Sequence, residues 1–493
     1  MTLNRRRFLA GVGTVGLAAA GLGGCGQGQT GEALPTVGPL PARFTVPLPL
    51  PPRARPTRST SDTDHFELVQ RRAEVEILPG LRTPILGYDG VYPGPTIVST
   101  VGRRTVVNHV NELGVPTVAH LHGGHTPASS DGFPTDVVPP GGERAYDYPM
   151  RQRAATLWYH DHRMDFTGPA VYRGLAGFHL VHDPDEDRLG LPAGDRDVPL
   201  MIADRSFDED GSLRYPAIDP SMTGTPGVDA AYLEGVLGDV VLVNGAPWPR
   251  FEVEAVRHRL RLLNGSNARR YELVLTPGTE DAFTQIGSDG GLLAEPVGRG
   301  SIVLAAGERA DVVVDFSRYP VGTEVTMHNR LGSGSTADVM RFVVTRAAVD
   351  DSTVPATLGE IEPYDRATAV VRREFRFTRG AGGHRTGGWV INKLTYDPDR
   401  VDADPRLGTL ELWRFGTDVH HPVHLHLDPF QVVRRGARGP GPSDAGWKDT
   451  VDVRPGEVVE VLVRFTDYAG RYVMHCHNLE HEDMMMMANF ETR

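Results

Sequence analysis

A dense group of potential metal ligands lies close to the end of this 493-residue chain. Cys476 stands between His475 and His477, and it is followed by His481 and by four methionines over 484–487. A thiolate, imidazoles and a weakly bound thioether form the ligand set of a blue-copper electron-transfer site. On a strand, successive side chains point to opposite faces, so Cys476 would face one way and its two neighbours the other. The stretch therefore predicts one copper on Cys476 and further metal beside it.

Three more histidine clusters supply the imidazoles that the further metal would need. The pairs are His120 and His122, His160 and His162, and His424 and His426, with His421 three residues before the last pair. In each His-x-His pair, a period of two puts both imidazoles on one strand face, spaced to serve two adjacent metals. Structural zinc would require several closely spaced cysteines, and this chain has only Cys25 and Cys476. The two cysteines lie in such different contexts that we expect no disulfide.

The elements that must hold these residues are strands. After about residue 62, runs of β-branched and aromatic residues alternate with turn residues, and no long helical periodicity stands out. The 57 glycines and 39 prolines suit many short strands joined by tight turns. The sequence therefore predicts an all-β protein.

One pattern recurs three times along the chain. A turn followed by an alternating strand occurs at 139–148, 306–316 and 455–465, each after another alternating strand and a hairpin-like segment at 88–90, 243–245 and 391–393. Three copies in matched order predict three similar β-sandwich domains, with approximate bounds 62–190, 195–347 and 366–493. The clusters fall in the first and third copies. The middle domain is therefore expected to carry no copper ligand and to serve as a spacer.

The four clusters, in this order, resemble those of the three-domain multicopper oxidases, and among these the bacterial laccases of the spore-coat and bilirubin-oxidase type. The resemblance covers nearly the whole chain after its N-terminal segment. It implies three consecutive cupredoxin-like Greek-key β-sandwich domains. It also implies four copper ions as cofactor, of which one is type 1, one is type 2 and two are type 3.

The resemblance assigns each ligand by its place in the motifs. It gives the type 1 copper His421, Cys476 and His481, with Met486 as a weak axial ligand. It gives the type 2 copper His120 and His424, one type 3 copper His122, His160 and His477, and the other His162, His426 and His475. All ten clustered histidines are used in this way, but four consecutive methionines leave the choice of axial ligand open.

Two carboxylates match acids that assist dioxygen reduction in the same family. Asp131 lies eleven residues after His120, and Glu482 directly follows His481. The resemblance implies that both carry protons to the reacting oxygen. In the alternative interpretation, Asp131 belongs to an ordinary Asp-Gly turn and Glu482 only orients a histidine.

The resemblance implies a laccase-like enzyme that oxidises phenolic or similar donors one electron at a time and reduces dioxygen to water. An oxidase for Cu(I), Mn(II) or Fe(II) and a bilirubin or aminophenol oxidase are alternatives. A copper-binding protein and a nitrite reductase are more distant alternatives. Donor specificity is expected in loops around the type 1 site, including 215–240 and the turns flanking 436–447. No long methionine-rich insert like that of the copper-efflux oxidases occurs.

The N-terminal segment predicts export. Residues 4–9, Asn-Arg-Arg-Arg-Phe-Leu, precede a short apolar run and resemble a twin-arginine signal. The run ends in Leu-Gly-Gly-Cys25, which resembles a lipobox, although a plain cleavage site is the alternative. Residues 26–61, rich in Gly and Pro, are predicted to form an extended tether. The protein would then be a cell-surface lipoprotein, or periplasmic or extracellular, with a membrane contact only through Cys25.

Charge and composition limit the other partners. The formal net charge is -12 at pH 7, and no basic block occurs, which argues against nucleic-acid binding. The expected partners are therefore dioxygen and a small-molecule or metal-ion electron donor. We expect a monomer.

Overall fold

Strands are the main regular secondary structure of the computed structural model, which describes residues 28–380 and 388–493. A short strand, β1 (Glu32–Leu34), comes first in the described chain. The remaining strands form three consecutive units, each built from two sheets. None of the helices in these residues has the length and apolar character needed to cross a bilayer.

The first unit contains nine strands and two short helices. The strands are β2 (Arg58–Ser59), β3 (Thr63–Val75), β4 (Thr83–Tyr88), β5 (Gly94–Thr100), β6 (Arg104–Asn111), β7 (Ala119–His122), β8 (Glu143–Tyr148), β9 (Ala155–Asp161) and β10 (Ala176–His182). The helices are α1 (Ala128–Asp131) and α2 (Thr167–Tyr172). One sheet has the order β2-β3-β6-β8, with β4 also on β3, and the other has the order β5-β10-β9-β7.

The second unit has the largest sheet. Its strands are β11 (Asp197–Arg205), β12 (Val236–Gly238), β13 (Val240–Val243), β14 (Ala246–Pro247), β15 (Arg250–Glu254), β16 (Arg257–Asn264), β17 (Tyr271–Thr276), β18 (Phe283–Ser288), β19 (Gly291–Arg299), β20 (Ile302–Leu304), β21 (Arg309–Asp315), β22 (Glu324–Asn329) and β23 (Asp338–Arg346). The sheet orders are β14-β13-β11-β16-β21-β18-β19 and β15-β23-β22-β17-β20.

The third unit has sheets of five and four strands. Its strands are β24 (Val371–Arg379), β25 (Trp389–Ile391), β26 (Leu410–Thr417), β27 (His421–Leu425), β28 (Phe430–Arg435), β29 (Thr450–Val453), β30 (Val458–Arg464), β31 (Gly470–Cys476) and β32 (Met487–Thr492), with one helix, α3 (Leu479–Asp483). The sheet orders are β25-β24-β26-β30-β28 and β29-β27-β31-β32.

The same strand pairing occurs in every unit. A parallel pair is followed by an antiparallel partner in β3-β6-β8, in β11-β16-β21 and in β24-β26-β30. A two-residue turn also recurs, and both of its residues have positive φ: Asp89 and Gly90, Asn244 and Gly245, and Asn392 and Lys393. Such turns match the twist of the flanking strands and favour Asn, Asp and Gly. The repeat seen in the sequence is thus one supersecondary unit used three times.

Side chains on the inner faces of the sheets form the cores. Along β6, Thr105, Val107, His109 and Asn111 are buried while the residues between them are more exposed. Burial of each valine or leucine side chain contributes roughly 1.5–3 kcal/mol. A separate core in the third unit includes Cys476 and Met486, so the candidate metal ligands are continuous with it.

The N-terminal segment differs from the predicted tether. It is extended, but β1 pairs in parallel with β12, and the Leu48 N–H donates to the Arg250 carbonyl at 2.8 Å. Further along, the Ala54 N–H donates to the Thr96 carbonyl at 2.9 Å. Residues 28–60 are therefore held along the body of the protein by backbone hydrogen bonds, and Leu34 and Leu48 bury apolar surface in the cores of the third and the second unit. The predicted signal and Cys25 lie outside the described residues.

Candidate metal centre

The predicted histidine and cysteine ligands stand on or directly after four strands, except His481 on α3. The strands are β7 with His120 and His122, β9 with His160 and then His162, β27 with His421 and His424 and then His426, and β31 with His475 and Cys476 and then His477. Register places His120 opposite His160 and His424 opposite His475. All ten histidines and Cys476 are at most 1% exposed. The first and third units therefore present their imidazoles to one another in a closed interior.

Three ligand atoms converge around Cys476. Its Sγ lies 3.3 Å from His421 Nδ1 and 3.6 Å from His481 Nδ1, and these two nitrogens are 3.1 Å apart. Burial raises the pKa of the Cys476 thiol well above its usual value, so a bound cation is needed to hold the thiolate. Two imidazoles and one soft sulfur suit copper. The predicted type 1 ligands, apart from the axial one, are thus brought together.

A second convergence lies across the boundary between the first and third units. The Nε2 atom of His475 is 3.2 Å from that of His162 and 3.3 Å from that of His426. The opposite nitrogens face carboxylates, because His426 Nδ1 lies 2.8 Å from Asp131 Oδ2 and His475 Nδ1 lies 3.0 Å from Glu482 Oε2. A carboxylate behind a histidine orients the ring toward a metal. These three residues are one of the two predicted type 3 sets.

In the other type 2 and type 3 histidines except His477, one ring nitrogen forms a hydrogen bond within the described residues and the other does not. His120 Nδ1, His160 Nδ1 and His424 Nδ1 donate to backbone carbonyls at 2.6, 2.8 and 2.9 Å. Within the described chain, the Nε2 atoms of these residues, His122 Nδ1 and both ring nitrogens of His477 lack any hydrogen-bond partner. Burial lowers the pKa of His160 to about 3 and of His162 to about 4, so the rings are neutral. Buried lone pairs without partners are costly unless a cation binds them, and the donor set therefore fits copper.

The division of these histidines between individual coppers stays a prediction. His120 lies within reach of a shared ion with His424 and His426, and also with His122 and His160. The His477 ring centroid is 5.0 Å from that of His122 and 5.5 Å from that of His160. All the predicted type 2 and type 3 ligands therefore surround one space.

The methionines after α3 differ in their surroundings. Met486 is fully buried, its N–H donates to the His481 carbonyl at 3.0 Å, and its carbonyl accepts the Cys476 N–H at 3.1 Å. Met485 is partly exposed and has a φ of 79°. Met484 and Met487 are also buried. Met486 is held beside two type 1 ligands, and its assignment as the axial ligand stays a prediction.

Asp131 and Glu482 both lie inside the centre. Asp131 ends α1, its carbonyl accepts from His120, its Oδ2 accepts from His426, and its Oδ1 has no partner among the described residues. Burial raises the pKa of Asp131 well above its usual value, so this carboxyl group is able to hold a proton. Glu482 Oε1 is 3.5 Å from His162 Nδ1, in addition to the contact with His475. Asp131 is therefore buried and is not part of an exposed Asp-Gly turn, and Glu482 contacts two predicted type 3 ligands.

Several residues at the centre were not identified from the sequence. Asp449 Oδ1 accepts from His122 Nε2 at 3.0 Å, and Arg309 of the second unit donates to both Asp449 oxygens, at 2.8 and 2.5 Å. A Cβ atom on Gly307 would lie 2.9 Å from His477. The middle unit, predicted to be a spacer, therefore touches the centre although no ligand was predicted in it. Arg309 lies in the repeated turn-and-strand pattern, which was the only signal for it.

Comparisons with known proteins agree with this geometry. Two models of the family described as multicopper oxidase match residues 70–186 and 368–493. A laccase of Bacillus subtilis is 36% identical over 90% of this chain and 97% of its own length. A bilirubin oxidase of Albifimbria verrucaria is 36% identical over 92% of this chain and 82% of its own.

Solved structures show the same similarity. A laccase from Pediococcus acidilactici superposes with a TM-score of 0.82 and 32% identity, over 94% of this chain and 96% of that one. A multicopper oxidase from Aquifex aeolicus superposes with a TM-score of 0.79 and 32% identity, over 92% of this chain and all of that one. The fold is therefore shared with these enzymes over nearly the whole chain, and this chain belongs to the multicopper oxidase family.

Proposed function

We propose that the protein is a laccase-like oxidase that couples the one-electron oxidation of phenolic or similar donors to the reduction of dioxygen to water. The observation that carries this proposal is the His475-Cys476-His477 segment. Cys476 belongs to the type 1 set, whereas its two neighbours face the histidines of the first unit. Copper at these sites supplies one-electron acceptance on the cysteine side and dioxygen reduction on the histidine side.

The same segment argues against the distant alternatives. A storage protein has no need for two ligand sets joined through adjacent residues. A nitrite reductase uses type 1 and type 2 coppers, so the set of His162, His426 and His475 would be superfluous. The convergence of imidazoles from the first and third units favours an oxidase that binds dioxygen in the space that these imidazoles surround.

One predicted donor loop contacts residues that lie beside the type 1 ligands. In the loop 215–240, the Leu233 carbonyl accepts from Trp389 Nε1 at 3.1 Å, and the Glu234 carbonyl accepts from Asn478 Nδ2 at 2.9 Å. The segment 436–447 packs instead against the second unit, where Arg299 donates to the Pro442 carbonyl at 2.9 Å. This placement supports donor selection by the first loop.

A cavity of about 370 Å³ leads toward the histidine side of the centre. Its wall includes Gly123 and Asp449, next to ligands of the type 2 and type 3 sets, and also Tyr364 and Trp447. A small molecule or water entering there would arrive beside the carboxylate that orients His122. This supports access for dioxygen and protons through this cavity.

Dioxygen uptake by the copper-loaded protein tests the proposal. Phenols, bilirubin, Cu(I), Mn(II) and Fe(II) would each be offered under identical conditions. We expect uptake with phenols, with about four phenols oxidised per dioxygen when peroxide does not accumulate. Faster turnover with a metal ion than with any phenol would favour the metallo-oxidase alternative. Copper binding without uptake for any donor would contradict oxidase function.

Replacement of Asp131 by asparagine is expected to slow turnover but to leave the blue absorption intact. The Asn oxygen still accepts from His426 Nδ1, and the backbone carbonyl still accepts from His120, but no acidic proton remains. Loss of such a supporting group typically costs about 10–100-fold in activity. Steady-state dioxygen uptake and the visible spectrum measure the two effects. Unchanged turnover would contradict a proton-carrying role.

We propose export by a twin-arginine signal and lipid attachment at Cys25. The support is the motif at residues 4–9 and the Leu-Gly-Gly-Cys25 sequence. Because residues 28–60 pack along the body of the protein, such an anchor would hold the enzyme close to the membrane surface. A Cys25→Ser variant is expected to leave the membrane fraction and to keep its oxidase activity. Continued sedimentation with membranes would contradict the anchor. The monomeric state stays a prediction.

A further inference from the structure

The indole of Trp389 packs directly on both type 1 histidines. Its ring centroid is 3.8 Å from that of His481, with 31° between the planes, and 5.4 Å from that of His421, which it meets edge-on at 81°. Trp389 is only 1% exposed, and both histidines are fully buried. The indole therefore covers the two imidazoles through which a bound donor would otherwise contact the type 1 site.

Trp389 is fixed from two sides. Its Nε1–H donates to the Leu233 carbonyl of the donor loop, which satisfies its buried polar atom. The guanidinium of Arg379 lies 5.1 Å from the ring centroid, in a cation–π arrangement, and Arg379 also pairs with Glu234. The Arg379 side chain is half exposed. An arginine at the surface and an indole beneath it thus form a layer over the histidines.

The outer ring nitrogen of His421 is also occupied, because it forms a hydrogen bond within the protein. His421 Nε2 donates to Asp418 Oδ1 at 3.1 Å, and Asp418 Oδ2 accepts the backbone N–H of Arg379 at 2.8 Å. Asp418 and Arg379 are both partly exposed, whereas His421 is buried. The ring nitrogen of His421 that faces outward is therefore bonded to a carboxylate and is not offered to a donor.

We propose that Trp389 is a specificity-determining residue, because it prevents aromatic donors from stacking on the type 1 histidines. This inference rests on the proposed oxidase function. Donors then meet the surface of Arg379 and Asp418 and are selected by charge and ease of oxidation more than by shape. Removal of the indole would open a ring-sized space beside His481 into which a planar phenol fits.

Three variants test this proposal with two donors, 2,6-dimethoxyphenol and ferrocyanide. Trp389→Ala is expected to lower KM for the phenol about three- to tenfold, the range of one aromatic pair. KM for ferrocyanide, which cannot stack, is expected to stay the same. Trp389→Phe keeps a ring over His481 and is expected to behave as the parent protein.

Trp248→Ala is the matched control. Trp248 is also buried, donates its Nε1–H to a backbone carbonyl at 2.9 Å and has Arg43 over its ring, but it lies in the core of the second unit. It reports the effect of losing a buried indole away from the type 1 set. We expect no change of KM for either donor.

The reduction potential of the blue copper gives a readout that does not depend on donor turnover. In Trp389→Ala, water reaches His481 and stabilises the oxidised, more highly charged state, so the potential is expected to fall. Trp389→Phe and Trp248→Ala should not change it. The potential is measured by anaerobic titration of the visible absorption.

Two results would overturn the proposal. One is an unchanged phenol KM and potential in Trp389→Ala, and the other is an equal fall in KM for ferrocyanide. If Trp389→Ala does not retain copper, Trp389→Val decides, because it keeps a β-branched apolar side chain on β25 but removes the ring from His481. It must then lower the phenol KM but not the ferrocyanide KM. Absence of dioxygen uptake by the parent protein with both donors would instead overturn the oxidase function itself.

Discussion

Replacement of Cys476 by serine is expected to abolish the blue absorption and to reduce donor oxidation below detection. Serine offers no thiolate, and the remaining ligands, His421 and His481, lose the soft sulfur that favours copper. The histidine sets should still bind metal, because their nitrogens converge independently of the sulfur. Visible and EPR spectra and copper content measure this, and we expect the loss of one copper per chain.

A conservative change at a neighbouring methionine serves as the control for Cys476→Ser. Met485 is partly exposed and lies outside the closed interior, so Met485→Leu is expected to keep the blue absorption and turnover. A blue band that persists in Cys476→Ser would contradict the assignment of the sulfur to the type 1 site. Loss of all copper from Cys476→Ser would show that the two ligand sets do not form independently.

The sequence predicts the parts of this site that follow from short-range periodicity. His-x-His pairs on strands share a face because side chains alternate, and the structure places His120 and His122 together for that reason. The recurring two-residue turns were visible because positive φ favours Asn, Asp and Gly. Family resemblance then supplied the three-domain cupredoxin fold, which the solved relatives share.

Residues that act across long distances in the chain were not predictable in this way. Trp389 covers His481 from 92 residues earlier in the sequence, and nothing in its neighbourhood marks it as part of a metal site. Asp449 reaches His122 from another unit. The packing of residues 28–60 was also missed, because composition suggests flexibility whereas two buried leucines decide the outcome. These features depend on tertiary packing, which has no period in sequence.

The middle unit takes part in the centre through buried charge. Arg309 is fully buried and forms an ion pair with Asp449 of the third unit. Asp289 of the second unit forms another with Lys448 of the third unit, at 2.9 Å. A buried ion pair contributes little net stability as long as it is complete, but loss of one partner leaves an uncompensated charge. The contact between the second and third units at this point therefore fixes the carboxylate that orients His122.

Replacement of Arg309 by methionine is expected to destabilise the copper-free protein by about 3–5 kcal/mol, the usual cost of breaking a buried ion pair. It should also weaken copper binding at the predicted type 3 site that includes His122 by about 10–100-fold, because Asp449 no longer holds His122 in place. Urea denaturation measures the first effect. Competition for copper with a chelator, followed by the copper content per chain, measures the second.

Arg259→Met separates the two effects of Arg309→Met. Arg259 forms a similarly buried pair with Asp311 in the same unit, at a place where it contacts none of the predicted ligands. We expect the control to lose comparable stability and to bind copper as the parent protein does. Equal weakening of copper binding in both variants would mean that general destabilisation is the cause. Unaltered copper binding in Arg309→Met would show that the middle unit, despite its contact with Asp449, does not position the ligands.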